Sequence, residues 1–233
     1  PFSKSNYWFF EESFVIFSPK DIVSGDFYWF NQVEEKTFIA VGDCTGHGVP
    51  GAFMSMIGMA SLNEIVNKEH IYSPATILTN LHHKIRLALK QGQKINDDGM
   101  DIALCLLEKM ENGNTKITFS GAKRPLYYSD QQELKILKGN RISIGGVTKD
   151  KAFTNESLLL PKGETIYLFS DGIIDQHAPN RKRFGTPLLE KILRDNNKYK
   201  KFSILSAGTR LNIPVTIHVA RGTDIIHMHP NIS

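Results

Sequence analysis

Three aspartates, in the segments Gly25-Asp26-Phe27, Val41-Gly42-Asp43-Cys44-Thr45-Gly46-His47-Gly48 and Phe169-Ser170-Asp171-Gly172, carry the chemistry of this chain. Each lies beside glycine near an apolar, strand-like run, where a carboxylate can be held rigidly and the backbone can come close to a ligand. One such aspartate is an ordinary turn former. Converging, they would form a site of hard oxygen donors, the ligands that Mg²⁺ and Mn²⁺ take, and these ions suit phosphate chemistry.

The elements that must position them follow from residue type and period. Phe14–Phe17, Ile22–Phe30 and Thr37–Val41 read as strands. Pro50 suits a first helical position, and Ala52, Phe53, Met56, Ile57, Ala60 and Ile65 follow at helical spacing to about Asn67. Met54, Met56 and Met59 read as core packing, as do Trp8 and Trp29. A second helix is expected from Ser73-Pro74, with Ser73 as N-cap, through Ile77, Leu81, Ile85 and Leu89. Strands return at Ile102–Leu107, Lys116–Phe119, Leu126–Tyr128, Leu134–Leu137 and Thr165–Phe169, and Thr186-Pro187 opens a last helix. This order predicts an α+β fold of mostly antiparallel sheets packed between helices.

Composition limits the alternatives. The chain has 233 residues, 41% hydrophobic and 22% charged, enough for one substantial core. Its net charge of +4 is too modest to argue for nucleic acid. Cys44 and Cys105 stand far apart in apolar contexts and read as buried thiols, which fits a reducing, cytoplasmic setting. The longest apolar stretch, Gly51–Leu62, is short for a bilayer, so no membrane contact is expected. The opening Pro1-Phe2-Ser3 has the look of an excised piece of a longer protein.

Pro19-Lys20-Asp21-Ile22-Val23-Ser24-Gly25-Asp26-Phe27-Tyr28-Trp29 and Asp43-Cys44-Thr45-Gly46-His47-Gly48-Val49-Pro50-Gly51 resemble the SpoIIE-like branch of the metal-dependent protein phosphatases, the protein phosphatase 2C family. So do Asp98-Gly99-Met100-Asp101, Gly121-Ala122 with Pro125-Leu126, Ile144-Gly145-Gly146 and Tyr167–Gly172, over residues 10–195 in all. The resemblance implies an α/β/β/α sandwich and hydrolysis of phosphoserine or phosphothreonine on a regulatory protein. It also implies the output domain of a bacterial signalling protein, with a sensor domain upstream. For the site it implies two Mn²⁺ or Mg²⁺ ions held by Asp26, Asp43, the Cys44 carbonyl and Asp171. Asp98 and Asp101 would touch a more weakly held metal, and His47 would protonate the departing seryl or threonyl oxygen.

The last stretch departs from this pattern. Family members usually finish with a strand preceded by paired aspartates, one of them a metal ligand, and nothing after Lys201 has that form. Ile213–Pro230 instead resembles a fragment of the deoxyhypusine synthase-like family. The expected division is a phosphatase domain over 1–200, lacking the usual last strand, and an atypical fused or frameshifted tail over 201–233; the other reading of the tail is that Asp224 substitutes for the missing ligand. The alternative is a catalytically impaired remnant acting as a signalling or interaction module.

Overall fold

The structure, a computed structural model, describes residues 15, 17, 22–91, 96–130, 133–148, 150–175 and 183–198. Trp8, most of the strand expected at Phe14–Phe17 and the tail over 201–233 with Asp224, where a last strand was expected to be lacking, lie outside them. In chain order the elements are β1 (Asp26–Val33), β2 (Lys36–Cys44), α1 (Gly48–Asn63), α2 (Pro74–Ala88), β3 (Gly99–Lys109), β4 (Thr115–Ala122), β5 (Leu126–Asp130), β6 (Glu133–Leu137), β7 (Ile144–Gly145), β8 (Glu156–Leu160), β9 (Ile166–Tyr167) and α3 (Gly185–Lys198). One sheet runs β1-β2-β3-β4-β8, with β7 also on β3, and the other runs β6-β5-β9. All of these pairings are antiparallel.

Period-2 alternation on β3 builds the layers. Ile102, Leu104 and Leu106 join Leu62, Ile65, Leu81 and Ile85 in a core beneath α1 and α2. Ala103, Cys105 and Leu107 point the other way and meet Leu126 and Leu168 between the two sheets. On the far side of the small sheet, Tyr127, Tyr167 and Phe169 pack against Leu189 and Leu193 of α3. The result is the expected α/β/β/α sandwich. Cys44 and Cys105 are free and buried, as their contexts predict.

The face of α1 differs from expectation. Phe53 and Met56 are exposed, and the buried residues are Gly51, Met54, Ser55, Gly58, Ser61 and Leu62. A face of glycine and serine lets the helix axis come closer to the sheet than bulky side chains would permit, so apolar spacing pointed to the wrong stripe. A π-helical turn, Glu64–Lys68, continues α1. Together, Gly48–Lys68 is long and apolar enough to cross a membrane by length and composition, a longer span than Gly51–Leu62 suggested. Leu62, Ile65 and Val66 are nevertheless fully buried in the core.

Ser73 is the N-cap of α2, but its side chain makes no cap bond. The first-turn N–H of Ala75 donates instead to Asn155 Oδ1 at 2.7 Å, while Asn155 Nδ2 donates to Ser73 Oγ at 2.9 Å. A residue in the approach to β8 thus supplies the acceptor that the sequence assigned to Ser73.

Candidate active site

The register of the large sheet assembles the site. Asp26 on β1 stands opposite Asp43 on β2, and Asp43 stands opposite Asp101 on β3. Directly opposed residues of an antiparallel pair project on one face with Cβ atoms about 5 Å apart. Three carboxylates therefore lie in a row across three strands, an arrangement that repels itself unless cations intervene. Asp171, from the turn after β9, joins the row from the other sheet. The link is Ser170, fully buried, whose Oγ donates to Asp26 Oδ2 at 2.9 Å.

The cation among them is Arg124, in the loop between β4 and β5. Its Nη2 bonds Asp43 Oδ2 and lies 3.2 Å from Asp171 Oδ2 and 3.8 Å from Asp101 Oδ2. Lys123 Nζ is 3.8 Å from Asp101 Oδ1, and Ser143 Oγ donates to that same oxygen at 2.6 Å. Two close backbone approaches place Arg124: a Cβ on Gly121 would meet the Arg124 carbonyl at 2.2 Å, and one on Gly139 would meet it at 2.6 Å. Lys123 itself holds φ at 56°, a left-handed conformation unusual for lysine. Strain of this kind persists only where surrounding structure imposes it, often beside functional groups.

Negative charge still dominates. Burial, then the Asp26 carboxylate, then Asp171, push the Asp43 pKa up to about 8 against the opposing pull of Arg124. Burial disfavours the charge on Arg124, yet the carboxylates of Asp43, Asp171 and Asp101 outweigh it and raise its pKa. The Cys44 thiol is pushed up by burial and by the same aspartates, so its sulfur stays protonated. Any part Cys44 takes as a ligand falls to its carbonyl oxygen.

A cleft of about 540 Å³ opens beside the row, lined by Asp43, Asp101, Arg124 and Asp171 and also by the Gly145-Gly146 turn and Lys151, while Asp26 is buried outside its lining. Helix α2 holds that turn. Fully buried His82 accepts the Gly145 N–H on Nδ1 at 3.0 Å, and Arg86 Nη1 donates to the Gly146 carbonyl. Lys151 Nζ donates to the carbonyls of Ser143 and Gly145 at 2.9 and 2.7 Å. His82→Ala should cost about 2–4 kcal/mol, because it leaves a cavity and orphans a buried N–H. Urea unfolding checks this, and a loss under 1 kcal/mol would mean that the turn holds itself.

Of the residues expected from sequence, Asp26, Asp43 and Asp171 come together with Asp101. Asp98 does not line the cleft; its neighbour Asp97 does. His47 is the exposed N-cap of α1, makes no side-chain cap bond and is outside the cleft lining. The donor chemistry suits a hard cation: Asp171 Oδ1 is buried with no hydrogen-bond partner among the described residues, and the neighbouring oxygen donors are carboxylates. As arranged, with Arg124 among them, no three His, Cys, Asp or Glu groups among the described residues are gathered to hold an ion. Sequence reasoning missed Arg124, although it lies between Gly121-Ala122 and Pro125-Leu126, both already singled out.

Comparison with known proteins shows the family. The family model of Stage II sporulation protein E (SpoIIE) matches residues 34–205. Phosphoserine phosphatase RsbU of Bacillus subtilis is 28% identical over 182 residues, covering 76% of this chain and 50% of RsbU. Protein IcfG of Synechocystis is 24% identical over 204 residues, 78% of this chain and 32% of IcfG. The chain thus spans half or less of these relatives' length. Among solved structures, the SiaA-PP2C domain of Pseudomonas aeruginosa is 34% identical with a TM-score of 0.66, covering 77% of this chain and 69% of that one. The PP2C phosphatase domain of SpoIIE from Bacillus subtilis, 18% identical with a TM-score of 0.56 over 76% of this chain and 49% of that one, shares the fold. With the sandwich, the aspartate row and a family match over most of its length, the chain belongs to the SpoIIE family of protein phosphatase 2C-type domains.

Proposed function

We propose that this domain hydrolyses phosphoserine or phosphothreonine on a regulatory protein, as the output part of a cytoplasmic bacterial signalling protein with a sensor domain upstream. The observation that carries the reading is the convergence of Asp43 and Asp171, from distant segments, at one cleft, with Asp26 buried beside them, opposite Asp43 and bonded by Ser170. Two Mn²⁺ or Mg²⁺ ions bound there would supply a hydroxide at neutral pH and neutralise phosphoryl charge. Asp43 and Asp171 would be their principal ligands, with the Cys44 carbonyl beside them. Asp26, held by Ser170, ties the two halves of the ligand set together. Asp101, fixed by Ser143, would serve a more weakly held ion. The Gly145-Gly146 turn and Lys151, which also line the cleft, would bound the space a phosphorylated side chain enters. Proton donation to the departing oxygen is assigned to His47, the exposed N-cap of α1 outside the cleft lining. The phosphatase domain is placed over 1–200 and the tail, 201–233, outside it.

The test is release of phosphate from a phosphoserine peptide as Mn²⁺ or Mg²⁺ is titrated into the purified 233-residue chain. Turnover should rise with metal to saturation and vanish with chelator. A folded chain without turnover at any metal concentration would overturn the enzymatic reading and leave the interaction module.

A further inference from the structure

Arg124 is built into the acidic row more firmly than a surface cation. Its side chain is 13% exposed, it reaches three carboxylates, and its Nε is buried without a hydrogen-bond partner among the described residues. A Cβ at Gly121 or Gly139 would collide with the Arg124 carbonyl, so this backbone packs closely around it. The guanidinium touches Asp43 Oδ2 and lies 3.2 Å from Asp171 Oδ2, both groups assigned above as metal ligands.

A divalent ion and the guanidinium therefore compete for the same carboxylates. When an ion takes them, Arg124 is left buried and charged with too few acceptors, a costly state for a group that never deprotonates. Arg124 lines the cleft, and the partner chemistry its planar fork fits best is a phosphoryl group, bound by paired N–H donors. We propose that Arg124 is a charge-swap residue: it occupies the Asp43 and Asp171 oxygens before metal binds, and the incoming ion turns it onto the substrate's phosphoryl oxygens. Metal loading would thereby create the phosphate site, so that phosphoprotein binds well only to a loaded centre. This inference rests on the metal-dependent phosphatase reading and adds an order of events to it.

The experiment is calorimetric titration of Mn²⁺ into the chelator-stripped full chain, followed by inorganic phosphate into the Mn²⁺-saturated protein, for wild type, Arg124→Met and Arg124→Lys. Removing the competing charge in Arg124→Met should tighten Mn²⁺ binding about tenfold and weaken phosphate binding at least about tenfold. Arg124→Lys keeps the charge and loses the fork, so its Mn²⁺ affinity should stay near wild type while phosphate binding still weakens. This variant also keeps the test valid if Arg124→Met does not fold. Unchanged phosphate affinity in Arg124→Lys, or unchanged Mn²⁺ affinity in a folded Arg124→Met, would overturn the charge swap while leaving the metal centre standing. Absence of Mn²⁺ binding in wild type would overturn the metal-dependent reading itself, and this proposal with it.

Discussion

Asp43→Asn is expected to lower metal-dependent hydrolysis by about 10³-fold or more, a loss of several kcal/mol of charge stabilisation at the reacting centre. The same change should not destabilise the chelator-treated protein. Asp43 is the middle of the row, opposite Asp26 on one side and Asp101 on the other, and its pKa rises from 3.8 to about 8 through burial and its acidic neighbours. The folded state thus holds a proton that the unfolded state releases between about pH 4 and pH 8. Stability from this group is full below the unfolded value and is lost as pH rises through the folded one. Asparagine has no such dependence, so its advantage over wild type should grow between pH 5 and pH 8. Thermal melts at the two pH values, beside activity at saturating Mn²⁺, make the comparison. A variant that melts several degrees below wild type at pH 8 would show that the Arg124 contact outweighs the crowding of carboxylates.

Gly51→Ala should lower turnover about 100-fold, the scale expected when reacting groups are misplaced by about 1 Å. An added Cβ would sit 2.6 Å from the Gly46 carbonyl oxygen, 3.0 Å from Gly25 Cα and 3.1 Å from Gly25 N. All three are backbone atoms, so no side chain can swing aside. Relief requires the first turn of α1 to move off the Gly25 and Gly46 segments, which flank Asp26 and Asp43. Overpacking of this kind costs about 1–3 kcal/mol in stability as well. Phe53→Ala is the control: it lies on the exposed face of the same helix and should change stability by no more than about 0.5 kcal/mol. Wild-type turnover in folded Gly51→Ala would show that the helix does not set the carboxylate geometry.

Residue type and local spacing made the strands around Asp26, Asp43 and Asp171 legible, and with them the chemistry of hard oxygen donors. The second helix and most of the meander could be read for the same reason, since period and turn residues are local properties; the four-layer order was implied by the family resemblance. The stripe on α1 could not, because what contacts the sheet there is a set of glycines and serines that carry no hydrophobic signal. The short strands Ile144–Gly145 and Glu156–Leu160 were missed because they form only by pairing with β3 and β4.

Arg124 shows the limit most clearly. Its partner Asp43 lies 81 residues away, and nothing in a loop arginine says that its neighbours will be three carboxylates. Which groups could bind a cation was written in the amino acids; which of them meet, in what order across the sheet, and with what counter-charge between them was decided by strand register and by backbone approaches that only glycine permits. Those are distances between remote segments, and they come into being only when the sheets close.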